Sequence, residues 1–282
     1  KLAKRATGRT QLIAAKNAYH GNTQGSMSLM GYEERKRAYR PLIPDVDFIE
    51  FNNEADILKI TERTAGVVLE SIQGGAGFIE PQNDYLIKVK RRCEEVGALL
   101  IIDEIQPGFG RTGKLFGFQN YGFTPDIIAI GKGMASGMPV GAFVSSYERM
   151  QLLAHSPKMG HITTFGGNPV IAAASLATLN QLLTTDLMAQ TLEKEKLFRQ
   201  YLQHPLIESV NGKGLMLAVI VKTAEIADFV VNYCQDRGLI VYWLLFEHRA
   251  VRLSPPLTLT EEEIKEGCDI ILEALNQVEK SF

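Results

Sequence analysis

Five polar side chains follow short apolar segments of the chain, and their chemical types could work together in one site. They are Tyr19, Glu70, Asp103, Gln106 and Lys132. In open α/β sheets, ligands bind beyond the carboxyl ends of the strands. If the apolar segments are parallel strands, we expect an aromatic ring, two carboxylates, an amide and a primary amine to converge on one edge of the sheet.

This combination suits a pyridine cofactor that is bound as an imine. A lysine such as Lys132 can form a Schiff base and, once released by substrate, can move a proton. A carboxylate such as Asp103 keeps a nearby ring nitrogen protonated, because the opposite charge favours the cationic form. The ring of Tyr19 can stack on the cofactor, and the amide of Gln106 can hydrogen-bond its phenolic oxygen.

Each residue taken alone has a simpler interpretation. The pair Asp103 and Glu104 at a strand end could be a metal site of the Walker B kind, but no glycine-rich loop ending in Lys-Ser or Lys-Thr precedes it. A lysine between glycines, such as Lys132, is most often a loop residue, and Tyr19 could belong to the core. Only the combination therefore predicts a cofactor site.

The elements that would position these residues follow from the apolar pattern. Short apolar runs predict buried strands of a mainly parallel sheet at 12–15, 66–69, 98–102, 127–130 and 142–144. Helical spacing at 84–96 predicts a βαβ unit between two of these strands. The opening residues read as the end of a helix that is stopped by Gly8.

Beyond Pro169 the pattern changes from alternating strands and helices to a smaller unit. We expect helices at 169–183, 192–202, 224–237 and 261–278, and strands at 214–221 and 239–245. Thr260, with Glu263 three residues later, predicts a capped start for the last helix. The predicted fold class is therefore α/β, with a large domain at 1–186 and a small C-terminal α+β domain at 187–282.

Composition limits the classes of protein and partner that fit the chain. In its 282 residues, a hydrophobic content of 45% and a charged content of 22% are typical of a globular protein. The net charge of −2 gives no reason to expect nucleic acid or an acidic membrane as a partner. The sequence contains no apolar run long enough to span a bilayer, and we expect no signal peptide. Three widely spaced cysteines argue for a reducing compartment and against a zinc site, so we expect a cytoplasmic protein.

Six motifs together resemble the class III (ornithine-type) aminotransferases, which depend on pyridoxal phosphate (PLP). The longest is Leu-Ile-Ile-Asp-Glu-Ile-Gln-Pro-Gly-Phe-Gly-Arg-Thr-Gly at 100–113; the others lie at 19–21, 70–74, 125–133, 164–169 and 252–257. They occur in the family's order over nearly the whole chain. The resemblance implies the fold type I architecture, with a mainly parallel sheet of the seven-stranded type. It also implies a homodimer with its active sites at the subunit interface.

The resemblance implies a role for each residue of the predicted cofactor site. Lys132 would carry PLP as a Schiff base, and Asp103 would be the partner of the ring nitrogen. Tyr19 would stack on the ring, His20 would also contact the cofactor, and Gln106 would lie near the phenolic oxygen.

Four further residues match family positions outside the ring contacts. Thr164 would reach the phosphate of the neighbouring subunit's cofactor. Arg252 would bind a substrate carboxylate, for which a planar two-pronged donor is well suited. Glu70 and Arg111 are expected to be structural supports.

The sequence departs from the family pattern in three places. The family's Ser-Gly-(Thr/Ala)-Glu-Ala phosphate loop would precede residue 1, so we expect that an N-terminal part is missing. Asn22 stands where ornithine-type members have arginine, and Gly75 stands where they have glutamate. Because that glutamate can mask the C-terminal arginine, we infer that Arg252 stays available for the carboxylates of both donor and acceptor, or for that of the acceptor alone when the donor is a simple amine.

The expected activity is transfer of an amino group from an amine or amino acid to an oxo acid such as 2-oxoglutarate or pyruvate. The donor could be ornithine-like, acetylornithine-like or another omega-amino compound. An aminomutase or racemase of the same fold would share Lys132 and Asp103, and a requirement for an oxo acid would separate the two classes. A third alternative is a scaffold protein without PLP. Such a protein would have no need for Lys132, Asp103 and Gln106 together.

Overall fold

The computed structural model describes the backbone of residues 1–281 and the side chains of residues 1–278. The first part of the chain contains α1 (Leu2–Thr7), β1 (Gln11–Ala15), α2 (Gln24–Met27), α3 (Glu33–Lys36), β2 (Val46–Ile49), β3 (Thr64–Glu70), α4 (Tyr85–Val96), β4 (Leu99–Asp103), β5 (Ile127–Gly131) and β6 (Gly141–Ser145). The remainder contains α5 (Tyr147–Gln151), α6 (Pro169–Thr184), α7 (Leu187–Tyr201), β7 (Ile207–Lys213), β8 (Met216–Val221), α8 (Ala224–Asp236), β9 (Tyr242–Trp243), β10 (Ala250–Leu253) and α9 (Glu261–Ser281).

The larger sheet has six strands among the described residues, in the order β2-β1-β3-β4-β5-β6. Its first five strands are parallel, and β6 pairs with β5 in the antiparallel direction. All residues of β3 are buried, which agrees with a strand that is covered on both faces and reads as a continuous apolar run. The prediction of an α/β fold with a mainly parallel sheet is confirmed.

Helix α4 covers one face of this sheet and completes the predicted βαβ unit. Tyr85, Leu86, Val89 and Cys93 are buried, so its apolar stripe packs on the strands as the helical spacing predicted. The helix ends at Gly97, whose φ of 69° lies in the left-handed region that glycine adopts readily. The predicted stop of the first helix at Gly8 is also confirmed, with a φ of 69°.

The smaller sheet is antiparallel, in the order β7-β8-β10-β9, and packs against α7, α8 and α9. The predicted cap of α9 is present. The Glu263 N–H donates to the Thr260 hydroxyl at 3.2 Å, and the Thr260 N–H donates to the Glu263 carboxylate at 2.8 Å. These two reciprocal bonds form a capping box.

The predicted strand at 239–245 is wrong in extent, because only Tyr242–Trp243 pair with β10. The chain leaves the sheet directly afterwards, and the N–H of Phe246 donates to the carbonyl of Gly75 at 3.0 Å. Three strands were not predicted, β2, β7 and β10. The first two lie at sheet edges, where partial exposure mixes polar with apolar residues and hides the strand pattern. Strand β10 lies between β8 and β9 but has only four residues, and Arg252 interrupts its apolar run.

The predicted domain boundary at 186/187 falls between α6 and α7, and this division of the chain stays a prediction. The predicted second domain, 187–282, ends one residue beyond the described backbone. In the part of the chain that the structure describes, no helix has both the length and the apolar character that crossing a membrane requires.

Candidate active site

The sheet edge formed by the carboxyl ends of β3, β4 and β5 carries three of the predicted site residues. The register of β3 and β4 pairs Glu70 with Asp103, and Lys132 follows directly after β5. The backbone of Lys132 has a φ of 42°, in the left-handed region that residues other than glycine rarely adopt. Such outliers persist where the surrounding structure holds them, and they cluster at functional sites.

The amino group of Lys132 lies in a field set by three charged neighbours. Burial lowers the pKa of this ammonium below its ordinary value, and the negative charges of Asp103 and Glu70 oppose that shift. The positive charge of Arg252 adds to the lowering. A lower pKa leaves a larger neutral fraction of the amine, which is the nucleophilic form.

Asp103 is buried and held by two donors. One carboxylate oxygen accepts the N–H of Ile105 at 3.0 Å, and the other lies 2.9 Å from Nδ1 of His20. Burial lowers the pKa of His20, but the hydrogen bond to Asp103 and the charges of Asp103 and Glu70 raise it, so the net shift is upward. Nε2 of His20 is also buried, and it has no hydrogen-bond partner among the described residues.

Glu70 ties the end of β3 to two neighbouring loops. Its carboxylate accepts the N–H of Gly74 at 2.9 Å and the N–H of Tyr19 at 3.4 Å. Burial raises the pKa of Glu70 to about 7; Asp103 adds to this shift, while His20 and the two N–H donors oppose it. These contacts agree with the predicted supporting role of Glu70.

Gln106 and Tyr19 flank this network. A side chain at Gly74 would come within 3.0 Å of Oε1 of Gln106 and 3.1 Å of Oε1 of Glu70, so glycine allows these groups to approach the turn. Tyr19 is half-buried and lines a cavity of about 790 Å³ on the other side. The structure thus brings Tyr19, Gln106 and the two buried carboxylates to one place.

Glu104, for which the sequence argued against a metal site of the Walker B kind, is bound by the loop after β4. Its carboxylate accepts the N–H of Gly117 at 2.6 Å and the N–H of Phe118 at 2.8 Å. Burial raises the pKa of Glu104 to about 7, although these donors lower it. The two backbone donors occupy the carboxylate, which gives Glu104 the role of a loop support.

Arg252 reaches the site from β10 of the smaller sheet. Its guanidinium lies 5.3 Å from the centroid of the Tyr242 ring, and burial lowers its pKa. Arg111 donates to the carbonyls of Leu215 and Pro255 and so joins the loop after β4 to the smaller sheet. These bonds agree with the supporting role predicted for Arg111.

Thr164 is the predicted site residue that the structure does not bring to Lys132. It lies on an exposed segment and lines a different cavity, of about 750 Å³, together with Met134 and Phe165. The predicted contact of Thr164 with a neighbouring subunit's cofactor stays a prediction.

Sequence reasoning missed Phe246. A Cβ atom at Gly75 would lie 2.7 Å from the Phe246 ring, so the ring occupies the space in which a side chain at position 75 would begin. The two residues are far apart in the chain, and no local pattern could have indicated the contact. The bond between His20 and Asp103, which joins residues 83 positions apart, was missed for the same reason.

The residues present fit a pyridine cofactor. A buried carboxylate is fixed by two donors, its charge acts on the Lys132 amine, and a buried histidine nitrogen has no hydrogen-bond partner in the described part of the chain. Buried polar atoms of this kind are usually satisfied, so an unpartnered one needs an explanation. A polar ligand at this sheet edge would provide one.

Comparison with known proteins agrees with this chemistry. The chain matches the family model for class III aminotransferases over residues 1–275. It is 38% identical to an acetylornithine aminotransferase of Streptococcus mutans, over 98% of this chain and 73% of that protein. It is 37% identical to a putrescine aminotransferase of Pectobacterium atrosepticum, over 94% of this chain and 60% of that protein.

Comparison with solved structures also gives an aminotransferase. An ornithine aminotransferase of Toxoplasma gondii, whose structure has PLP at partial occupancy in the active site, matches with a TM-score of 0.91 and 27% identity. The match covers 99% of this chain and 69% of that one. The chain spans 60% to 73% of the lengths of these three proteins. It belongs to the class III aminotransferase family.

Proposed function

We propose that the protein is a PLP-dependent transaminase that moves an amino group from an amine or amino acid to an oxo acid such as 2-oxoglutarate or pyruvate. The observation that carries this proposal is the Lys132 amine, with its lowered pKa, at the sheet edge where Asp103 is buried and fixed. Two relatives named for acetylornithine and putrescine support transfer from an amine at the end of a carbon chain.

Class III aminotransferases depend on PLP, and Lys132 would hold it covalently through Nζ as a Schiff base. When bound, PLP supplies an electron sink for the carbon that carries the amino group. The carboxylate of Asp103 would hold a proton on the ring nitrogen, because a negative charge favours the cationic form. Tyr19 would cover one ring face, and Gln106 would donate to the phenolic oxygen.

Lys132 would transfer a proton, and His20 would orient the carboxylate of Asp103. The neutral Nζ of Lys132 can accept a proton from the donor carbon and return it, and its lowered pKa increases the fraction of this form. The Nδ1–H of His20 donates to Asp103 and fixes the direction of its carboxylate. Burial of this pair keeps water from competing for the bond.

Arg252 would bind the carboxylate of the oxo acid. Its charge already acts on Lys132, which supports a substrate bound between the two. The ring of Phe246 fills the space beside Gly75, so the acidic partner that ornithine-type members have there is replaced by an aromatic ring. This packing supports the inference that Arg252 remains available to substrate.

We also propose a homodimer that is formed through the surface around α6. The helix carries no charged residue, yet Val170, Leu176 and Leu183 are 58% to 63% exposed. Large exposed apolar surfaces mark interaction sites in soluble proteins. Thr178 of this helix donates to the hydroxyl of Ser136 at 2.9 Å, close behind Lys132 in the chain, which supports an active site near the interface.

The test is a two-step absorption experiment on the PLP-loaded protein. Ornithine, N-acetylornithine, 4-aminobutyrate and putrescine are added one at a time, and the visible band of the cofactor is followed. We expect one donor to bleach the band and an oxo acid to restore it. An isomerase would instead turn over its substrate without an oxo acid, and the absence of a cofactor band would contradict the role of Lys132.

A further inference from the structure

The cavity beside Tyr19 contains a basic group that the proposed reaction has not yet used. The cavity has a volume of about 790 Å³, and Asn22 and Arg35 line it together with Tyr19. Tyr19 links it to the site, since the N–H of Tyr19 donates to the buried Glu70. A donor that reacts at Lys132 could therefore extend past Tyr19 into this space.

Asn22 leaves the cavity without a cation at the position where ornithine-type members have arginine. Its side chain is exposed and carries no charge, so it cannot form a charge-assisted pair with a carboxylate. Binding of an acidic donor here requires a positive charge from another element.

Arg35 meets this requirement better than the other basic residues of its segment. Arg40, which lines the same cavity, donates to Glu33 at 2.6 Å. Lys36 is buried and donates to the carbonyl of Met30 at 2.8 Å. Arg35 forms no ion pair with a side chain in the described part of the chain, although Glu34 lines the cavity with it.

An aromatic platform holds Arg35 in place. Its guanidinium carbon lies 5.9 Å from the centroid of the Phe246 ring, and Phe246 stacks on Tyr32 with centroids 4.8 Å apart. A cation over an aromatic face is attracted by the ring and loses side-chain freedom. Phe246 fits there because Gly75 has no side chain, and its N–H is bonded to the Gly75 carbonyl.

We propose that Arg35 binds the carboxylate of the amino donor in the cavity beside Tyr19. The donor class is then an amino acid whose carboxylate is separated from the reacting amine, whereas a diamine gains nothing from Arg35. The planar guanidinium can bind a carboxylate with two parallel bonds. This inference rests on the proposed transaminase activity and narrows its substrate class.

The experiment compares 4-aminobutyrate with putrescine on the PLP-loaded protein, in steady-state turnover with an oxo acid present. Arg35→Gln is expected to raise the KM for 4-aminobutyrate by about 10- to 100-fold, because a hydrogen bond to a charged group is lost. Its reaction with putrescine should not change. Arg35→Lys keeps the positive charge but cannot form two parallel bonds to a carboxylate. Its KM for 4-aminobutyrate should therefore lie between those of Arg35→Gln and the wild type.

Two further variants separate binding from general damage. Arg37→Gln removes an exposed arginine of the same segment and should behave as the wild type. Phe246→Leu removes the platform and should give a smaller loss that is again confined to 4-aminobutyrate. Thermal melting of every variant checks that the fold is retained.

Equal effects of Arg35→Gln on both donors, or no effect on either, overturn the proposal. A wild type that reacts with putrescine but not with 4-aminobutyrate also overturns it. A wild type that reacts with neither donor is tested with ornithine and N-acetylornithine, and failure with all four compounds counts against the proposed transaminase. Calorimetric titration with glutarate then decides the role of Arg35: about tenfold weaker binding to Arg35→Gln supports it, and equal binding overturns it.

Discussion

The sheet edge at Asp103 and the surface around α6 differ in how their side chains are satisfied. At the sheet edge, Glu70 and Asp103 are buried and accept hydrogen bonds from residues of this chain. Around α6, Phe165 is 78% exposed and Val170 is 63% exposed, with little of the helix covered. One copy of the chain therefore holds the buried acids of the proposed site. The role of Thr164 depends on the proposed dimer and stays a prediction.

The largest effect is expected at Lys132. Lys132→Ala removes the amine that we propose to hold the cofactor and move the proton, so single-turnover rates should fall by about 10³-fold or more. Lys114→Ala, which removes an exposed lysine, is the matched control. Retention of the cofactor band and of turnover in Lys132→Ala would contradict the proposed role of Lys132.

The surface around α6 should respond to an added charge. Leu176→Glu places a carboxylate on the exposed apolar face, and we expect the dimer to dissociate because the charge would be buried without a partner. Sedimentation velocity measures the change, and Leu58→Glu, at a site that is 71% exposed elsewhere, is the control. A monomeric wild type would contradict the proposed dimer. A dimer that is unchanged by Leu176→Glu would contradict the proposed interface around α6.

A substitution at Gly75 tests whether Arg252 is free to bind the oxo acid. Gly75→Glu should raise the KM for the oxo acid by about tenfold if the new carboxylate pairs with Arg252. Its Cβ would also collide with the Phe246 ring, so stability should fall by about 1–3 kcal/mol. Gly75→Ala has the collision without the charge and separates the two effects. An unchanged KM in Gly75→Glu would contradict the idea that Arg252 is unmasked.

The smallest effect concerns the pH dependence of stability. Burial raises the pKa of Glu70 from an ordinary 4.5 to about 7, so its contribution to stability is fully present below pH 4.5 and is lost as the pH rises through about 7. Glu70→Gln should therefore flatten the decline of stability across this window. Urea denaturation at several pH values measures it, with the exposed Glu62→Gln as control. Part of the slope should remain because Glu104 has the same upward shift.

Local patterns in the sequence predicted much of the sheet edge. The apolar runs that became β3, β4 and β5 are short and buried, and this is why the positions of Asp103 and Lys132 followed from them. The capped start of α9 at Thr260 was predictable because both of its bonds lie within one helical turn.

The features that the sequence could not predict depend on contacts between distant segments. Phe246 meets Gly75 only after the chain has left β9, and the apolar run at 239–245 favoured a longer strand. The edge strand β7 has few buried residues, so it lacks the apolar run that identified the central strands. Cytoplasmic location and the dimer remain predictions of the sequence.

The left-handed backbone at Lys132 opposes stability to the catalytic role that we propose for this residue. A residue with a side chain in that region costs on the order of 1–3 kcal/mol, a strain that the fold bears whatever the side chain does. Glycine at 132 would relieve the strain and is expected to give a more stable protein without the amine. Directed evolution for thermal tolerance alone would therefore tend to discard Lys132, and a selection scheme for this enzyme must score turnover at every round.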